Sequence, residues 1–326
     1  MVFITGANGL LGSFICRKLL EEGYKVRALK RANSDLHLVE DIKDQIEWID
    51  GDILDLVSIE KQLENVTTVV HCAALVSYDK KAKQILYKTN VEGTANIVNA
   101  CINAGITKIV YVSSVATIGK KRHQYESDEN TQWNGTEQVS EYARTKYLAE
   151  LEVWRGAAEG LKPVIVNPSV VLGPGDWNRS STKIFKYILD EKPFYTSGCI
   201  NFVDVRDVAE ITVHLLNKNV HNERFIINAG SITYKDLFKK IAQSFKKQPP
   251  WIKVSPLLVR LTIFLDKWRS WLLRKDTMIG DDVSGVANNQ HIYTNAKIRK
   301  FINFNFRKID DTINWSCEEL LKKIEI

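Results

Sequence analysis

Short apolar runs alternate with helical patterns through the first two thirds of the chain. The runs predict strands at residues 2–5, 24–29, 46–49, 67–71, 108–113 and 163–167. Apolar residues that recur every three or four positions predict helices near residues 10–22, 58–64, 84–104 and 140–159. Strands that alternate with helices need crossover connections, which are right-handed and produce a parallel sheet. The predicted fold class is therefore α/β, with a doubly wound parallel sheet.

The pattern changes in the last third of the chain. Apolar runs at 200–203 and 224–228 could rejoin the sheet, whereas residues 234–245 and 255–274 have helical spacing. The helix at 255–274 is amphipathic and basic, so it could be a lid, a core helix or a membrane-surface element; its apolar stripe is typical of a core. The expected organisation is a sheet domain over 1–167 with a return segment at about 199–228, and a second domain over about 168–198 and 229–326.

Composition narrows the function classes. The chain has 326 residues, 44% of them hydrophobic, and a net charge of +6. That charge is modest and forms no concentrated basic stripe, so we expect no nucleic-acid partner. No apolar run reaches the roughly 18 residues of a membrane span. Because no signal peptide precedes the first strand either, we expect a cytoplasmic protein without membrane contact.

The cysteines give no sign of a metal site. All five (16, 72, 101, 199 and 317) are scattered without metal-ligand spacing. Three of them lie inside apolar strand or helix patterns, where buried reduced thiols are expected. We therefore predict no bound metal.

A glycine-rich turn directly follows the first apolar run. Gly6 would allow the sharp turn, Gly9 a close approach of the backbone to a pyrophosphate, and Gly12 close packing of helix on strand. The following helix begins with free N–H groups and a partial positive charge. A strand, a glycine turn and a helix in this order predict a dinucleotide-binding site.

Two side chains with proton-transfer chemistry are four residues apart in a predicted helix. Tyr142 and Lys146 share one helix face, and Ser114 ends the fifth strand. A free phenol has a pKa of about 10, and a neighbouring ammonium lowers it toward the range of a useful acid or base. The same spacing recurs at Tyr293 and Lys297, but without a suitable upstream serine, so we interpret that match as chance.

The order of these motifs resembles the extended short-chain dehydrogenase/reductase superfamily, also known as the NAD-dependent epimerase/dehydratase family. The nearest branch is that of the dihydroflavonol reductases and 3β-hydroxysteroid dehydrogenases, with a match in register from Thr5 to about Ala209. The resemblance implies a Rossmann-type NAD(P)-binding domain with a smaller, mostly helical C-terminal substrate domain. It also implies that Ser114, Tyr142 and Lys146 are catalytic, and Ser114 is preferred over Ser113 because it lies five residues before Gly119.

The second strand ends in Lys30 and Arg31, where NAD-preferring relatives carry an acid. Cations at this position favour a 2′-phosphate, so NADP(H) is the favoured cofactor and NAD(H) the alternative. The resemblance also assigns Asp52 to the adenine, whereas a structural role is expected for His71. The expected cofactor-binding residues are Gly6, Asn8, Gly9, Leu10, Leu11, Gly12, Lys30, Arg31, Asp52, Ile53, Ala73, Ala74, Asn90, Tyr142, Lys146, Pro168 and Ser169.

Three functions are compatible with these residues. The favoured one is an oxidoreductase that interconverts a ketone and a secondary alcohol with Tyr142 as general acid/base; the others are a nucleotide-sugar epimerase that retains NAD and a non-enzymatic dinucleotide sensor. Val115 and Ala116 stand where dehydratases carry Asp-Glu, which argues against elimination of water.

The substrate is expected to be a small carbonyl or alcohol compound. Aromatic residues could line its pocket and favour a hydrophobic or ring-bearing molecule: Trp177, Tyr187, Phe194, Tyr195 and Trp251. Asn178 and Arg179 could instead contact a polar group. The helices at 84–104 and 140–159 could also form a homodimer, as they do in many relatives.

Overall fold

The computed structural model describes residues 1–120, 125–133, 139–254 and 291–323. The strands are β1 (Val2–Thr5), β2 (Val26–Lys30), β3 (Ile46–Asp50), β4 (Thr68–His71), β5 (Lys108–Val112), β6 (Glu126–Ser127), β7 (Lys162–Pro168), β8 (Val170–Leu172), β9 (Phe194–Tyr195), β10 (Cys199–Asp204), β11 (Glu223–Ile227), β12 (Gly230–Thr233), β13 (Ile252–Lys253) and β14 (Ile292–Tyr293). The helices are α1 (Leu10–Glu21), α2 (Leu56–Lys61), α3 (Lys83–Tyr87), α4 (Gly93–Asn103), α5 (Glu141–Ala158), α6 (Thr182–Leu189), α7 (Val205–Asn217), α8 (Tyr234–Phe245), α9 (Ala296–Ile302) and α10 (Ile309–Lys322).

A seven-stranded parallel sheet forms the centre of the molecule, in the order β11-β7-β5-β4-β1-β2-β3. The six strands predicted from apolar runs are confirmed, with ends that differ by at most two residues. The chain order reverses between β1 and β4, so the connections leave those two strands on opposite faces. In open α/β sheets this switch point opens a crevice at the carboxyl ends of the strands, where ligands bind.

The predicted helix at 84–104 is not continuous. It consists of α3, a π-helical turn over Lys88–Glu92, and α4. The π-helical turn carries Asn90, whose side chain is buried. Such single π turns are frequent at functional sites because they turn a side chain out of the regular helical register.

A small second sheet contains β10, which pairs in parallel with β8 and antiparallel with β12. The run at 200–203 therefore does not rejoin the main sheet, whereas the run at 224–228 does, as β11. The reason is packing: Ile200 and Phe202 are buried in a separate hydrophobic core with α6, α8 and α10. This core is the base of the region expected to bind substrate.

The C-terminal helices attach to different parts of the fold. Ile298 of α9 is buried in the core of the main sheet, and Lys297 pairs with Glu223 of β11. Lys297 thus takes part in a structural ion pair, which agrees with a chance match for Tyr293 and Lys297.

The predicted helix at 255–274 lies outside the described residues. Within the described ranges, no helix is long and apolar enough to span a bilayer.

Candidate active site

The predicted site residues meet along the carboxyl edge of the main sheet. The glycine turn follows β1, Ala73 and Ala74 follow β4, and Ser114 follows β5. Tyr142 lies in the first turn of α5, and Ser169 follows β7. The edge of one sheet thus brings together residues that are up to about 160 positions apart in the chain, as the parallel topology predicts.

Two glycines of the turn, Gly6 and Gly12, have no room for a side chain. Gly6 adopts a φ of +73°, and a Cβ built on it would lie 2.7 Å from the backbone nitrogen of Ala73. A Cβ on Gly12 would lie 2.0 Å from the carbonyl oxygen of Gly6. Gly9 is the N-cap of α1 and supplies no side-chain cap. The first N–H groups of α1 are therefore left for a ligand, which fits a pyrophosphate.

At the end of the crevice beside β2, Lys30 makes a contact that the sequence did not predict. Lys30 forms an ion pair with Asp50, its registered neighbour on β3, whereas Arg31 is exposed. The sequence reasoning missed this pair because it did not consider which residue would face Lys30 across the sheet. The Asp52 carboxylate is exposed and accepts a hydrogen bond from the Leu54 backbone at 3.0 Å.

Two further expected cofactor residues make contacts near this end. The Asn8 side chain donates to the carbonyl oxygen of Asp35 at 3.1 Å and so ties the glycine turn to the loop after β2. Ile53 is buried and packs against Gly93, where a Cβ would lie 2.6 Å from the Ile53 side chain.

Tyr142 is partly exposed at the other end of the crevice, with its ring 6.0 Å from that of Tyr78 in an edge contact. Burial raises the pKa of Tyr142 well above its ordinary value, and a hydrogen bond from Ser114 partly offsets the rise. This corrects the expectation that Lys146 lowers the pKa, since the protein alone keeps the phenol protonated. The geometry brings the Ser114 and Tyr142 hydroxyls together.

Lys146 is almost fully buried, with 2% of its surface exposed. Its ammonium donates to the Tyr111 hydroxyl at 2.8 Å and to the Val112 carbonyl oxygen at 2.7 Å. Burial lowers the pKa of Lys146 to about 7, while the nearby Glu150 carboxylate acts in the opposite direction. The ammonium is therefore close to its titration point at neutral pH.

A buried carboxylate fixes the loop that carries Ser114. Glu150, 2% exposed, accepts hydrogen bonds from the hydroxyls of Ser113 at 2.6 Å and Thr117 at 2.8 Å. It also accepts from the Asn167 amide at 3.0 Å and pairs with Arg224 at 3.2 Å. Because Ser113 is thus committed to the interior, Ser114 is the serine left facing Tyr142.

Sequence reasoning passed over Glu150, although a signal was present. Glu150 lies one turn after Lys146, on the face of α5 that also buries Ala143 and Val153. A charged residue at an apolar helical position is rarely buried without a partner. No such local signal marked Tyr111, because a tyrosine inside an apolar strand looks like ordinary core.

His71 and Asn90 have structural contacts. The His71 ring is bonded on both sides, to Thr5 at 2.6 Å and to Thr94 at 3.0 Å, and burial lowers its pKa to about 3. It is therefore neutral, as the structural role expected for it requires. The Asn90 amide holds the backbone of Leu75 through bonds of 2.7 and 3.0 Å and donates to Thr145 at 3.1 Å.

Two buried polar atoms beside the site have no hydrogen-bond partner among the described residues. They are the Ser169 hydroxyl and the side-chain amide oxygen (Oδ1) of Asn167, which flank Pro168 at the end of β7. Buried polar groups are rarely left unpaired unless a ligand or water completes them. Together with the uncapped start of α1, these atoms are free to bind polar groups of a dinucleotide, so the residues present fit such a cofactor.

The aromatic residues expected around a substrate lie in two different places. Trp177 and Tyr187 pack against the small core, where the ring centroids of Trp177 and Phe245 are 6.4 Å apart. Phe194 and Trp251 are exposed, on or beside the two-stranded β9–β13 sheet. Arg179 is exposed and pairs with Asp176.

Within the part of the chain that the structure describes, no group of side chains that could hold a metal ion occurs.

Comparisons with known proteins agree with this geometry. A sequence model of the NAD dependent epimerase/dehydratase family matches residues 2–230. A protein of Synechocystis sp., named provisionally as a dihydroflavonol 4-reductase, is 38% identical over 209 residues, or 64% of this chain; the match spans only 60% of that protein's length. Sterol demethylase protein B of Methylococcus capsulatus is 30% identical over 79% of this chain and 78% of its own.

A solved structure extends the match to the whole fold. The crystal structure of gox2253 superposes with a TM-score of 0.86 at 27% identity and covers 99% of this chain and 98% of its own. The likeness therefore includes the C-terminal part, where the sequence resemblance is loose. The chain belongs to the NAD-dependent epimerase/dehydratase family of extended short-chain dehydrogenases/reductases, and it is an NAD(P)-dependent enzyme of that family.

Proposed function

We propose that the protein is an NADP(H)-dependent oxidoreductase that interconverts a ketone and a secondary alcohol on a small hydrophobic or ring-bearing substrate. One observation carries this proposal: the Ser114 and Tyr142 hydroxyls meet at the partly exposed end of the crevice, with the Lys146 ammonium buried nearby. Two hydroxyls on one side of a cavity can both bond a single carbonyl oxygen. The names of the relatives include reductases, which supports the same reaction class.

Each side chain has a separate task in the proposed reaction. A bound nicotinamide dinucleotide supplies the hydride for reduction and accepts it in oxidation. Ser114 donates a hydrogen bond that stabilises negative charge on the substrate oxygen. Tyr142 then donates the proton, and its raised pKa ensures that it carries one at neutral pH. Lys146 stabilises the phenolate that remains.

The preference for NADP(H) rests mainly on Arg31. Its guanidinium is exposed beside the end of β2 and could bond a 2′-phosphate through two N–H groups. Lys30 contributes less than the sequence predicted, because a phosphate would compete with Asp50 for the ammonium. Both residues act together in the proposal, with Arg31 as the principal contact.

Tyr78 supports a ring-bearing substrate. Its side chain is 57% exposed although it is aromatic, and its ring borders Tyr142. An exposed aromatic ring beside a proton donor offers a surface on which a planar substrate could stack. The exposed Phe194 and Trp251 are further candidates for this apolar wall.

A nucleotide-sugar epimerase is the second candidate, and the Lys30–Asp50 pair favours it. Epimerases of this family hold NAD, and an acid that neutralises Lys30 weakens the argument for a 2′-phosphate. In the proposal, the exposed Arg31 and the aromatic surroundings of Tyr142 outweigh that pair.

Titration calorimetry with NADPH and NADH, after analysis of the purified protein for retained dinucleotide, separates the two candidates. The oxidoreductase proposal predicts an empty site and tighter binding of NADPH, because the cofactor must exchange in each turnover. Tightly retained NAD would reject it and favour the epimerase.

The homodimer through residues 84–104 and 140–159 also stays a prediction, for which the exposed Ile85 and Leu151 side chains provide apolar surface.

A further inference from the structure

Tyr111 lies in the interior directly beside Lys146. It is 1% exposed, at the second-last position of β5. The Lys146 ammonium contacts it twice, at 2.8 Å from the hydroxyl oxygen and at 4.4 Å from the centre of the ring. The ring also stacks on that of His71, with the two ring centroids 5.5 Å apart.

The hydrogen bond between Lys146 and Tyr111 has one direction when the amine is charged. An ammonium can only donate, so the Tyr111 oxygen accepts from Lys146. The Thr94 hydroxyl also interacts with Tyr111 and acts to lower its pKa, against the burial that raises that pKa well above its usual range. Thr94 in turn donates to the carbonyl oxygen of Asn90 at 2.6 Å.

His71 completes this arrangement. Thr94 also accepts from the Nε2–H of His71, and the Nδ1 of His71 accepts from Thr5. This tautomer follows from the network, since the Thr94 proton is already used. The protons of the Thr5 hydroxyl, the His71 ring and the Thr94 hydroxyl therefore each have a defined acceptor.

A buried ammonium depends on such acceptors. Lys146 has three N–H groups and donates two of them to described residues, Tyr111 and Val112. Without the Tyr111 hydroxyl, the Val112 carbonyl oxygen would be the one of these two acceptors that remains. Leaving a buried charged donor without its partner disfavours the charged form.

We propose that Tyr111 is a positioning residue for Lys146: its hydroxyl holds the ammonium in place and in the charged form that Tyr142 needs. This inference rests on the proposed function, in which Lys146 supports proton transfer by Tyr142. Tyr111 itself acts through Lys146, since its hydroxyl is buried and accepts from the Lys146 ammonium.

The other groups that face Lys146 set the baseline. These are His71 at the end of β4, Cys72 directly after it, and Glu150 on α5. The Glu150 carboxylate favours the charged ammonium, whereas burial favours the neutral amine and holds the Lys146 pKa at about 7. Because this balance lies near neutral pH, loss of one acceptor changes the charged fraction under working conditions.

Tyr111→Phe tests the proposal directly. The substitution removes the hydroxyl but keeps the ring that packs on His71. Tyr24→Phe is the matched control. Tyr24 precedes β2, at the amino ends of the strands, and its hydroxyl bonds the Asn217 side chain. The readout is NMR of protein labelled with ¹³C at the lysine ε-carbons, with the Lys146 signal assigned by its absence in Lys146→Met.

We expect the Lys146 titration midpoint to fall by about one pH unit in Tyr111→Phe and to stay unchanged in Tyr24→Phe. With an identified substrate, kcat at about pH 8 should fall about tenfold with little change in KM, and approach the wild-type value near pH 6. Thr94→Val, which removes the hydroxyl that interacts with Tyr111, should shift the midpoint by less than Tyr111→Phe does. It also serves as the second variant if Tyr111→Phe does not fold.

An unchanged Lys146 midpoint in the folded variants would overturn the proposal, whatever their activity. The NMR readout needs no substrate, so it is independent of the reaction assigned above. A shifted midpoint combined with normal turnover of Tyr142→Phe would reject the proposed function but leave the Tyr111–Lys146 interaction intact.

Discussion

The two ends of the cofactor crevice are built in opposite ways. Around Tyr142 and Lys146, the side chains are held by buried bonds to Tyr111, Glu150 and Asn167. Beside β2, Arg31 is exposed and Lys30 is held by one surface ion pair.

This difference shows where each property of the enzyme can be changed. A buried network fixes geometry closely, because each unpaired group would be costly. Exposed cations are screened by water and salt, so each has a modest effect and can be exchanged with little disturbance. We therefore expect large, coupled effects of substitution at the Tyr142 end and small, separable effects at the Arg31 end.

Tyr142→Phe should have the largest effect. The variant loses the proton donor but keeps the ring against Tyr78, so kcat should fall by about 10²–10⁴-fold with little change in the NADPH dissociation constant. Steady-state kinetics and calorimetry measure the two quantities. Tyr147→Phe, on the same helix and with its ring 4.1 Å from that of Trp133, is the control. Turnover that survives in Tyr142→Phe would exclude Tyr142 as the acid.

Glu150→Ala should be the next most severe change. It leaves Arg224 without its buried partner and Ser113 without its acceptor, and it removes one of the acceptors of Thr117 and of Asn167. The free energy of unfolding should fall by about 3–5 kcal/mol, measured by urea denaturation. Glu152→Ala, which breaks a half-exposed pair with Arg155 on the same helix, should cost at most about 1 kcal/mol. Equal losses for the two variants would contradict the structural importance of the buried network.

The pH dependence of reduction should reflect Lys146. Its pKa of about 7 means that the ammonium loses its proton as the pH rises through neutrality, while Tyr142 stays protonated because burial raises its pKa. For reduction, kcat/KM should therefore be highest below pH 7 and fall by up to about tenfold per pH unit above it. A pH–rate profile between about pH 5 and 9 measures this. A rate that rises through neutrality would show that charged Lys146 is not required.

Arg31→Ala should have the smallest effect, confined to cofactor choice. We expect NADPH to bind about tenfold more weakly, with NADH binding nearly unchanged, because only NADPH carries the 2′-phosphate. Lys30→Ala should weaken NADPH less, since Asp50 already occupies the ammonium. Calorimetric titration of both variants gives the ratio. Equal losses for NADPH and NADH would mean that Arg31 does not contact the phosphate.

The same contrast explains what could be predicted from the sequence. The main-sheet strands, the glycine turn and the helix that carries Tyr142 follow from local patterns of apolar residues and glycine. The Glu150–Arg224 and Lys30–Asp50 pairs depend on which elements become neighbours, and local periodicity does not specify that. The placement of β10 in the small sheet likewise depends on the packing of Phe202 with the C-terminal helices.

Transfer of deuterium from NADPH labelled at the reactive C4 position to a ring-bearing ketone tests the central claim most directly. Mass spectrometry of the product detects it, in the wild-type protein and in Tyr142→Phe. The account predicts an alcohol that carries one deuterium with the wild type, and a loss of product by about 10²–10⁴-fold in Tyr142→Phe despite intact NADPH binding. Equal labelling by both proteins would contradict it, and so would no labelling of any ketone by a protein that retains NAD and epimerises nucleotide sugars.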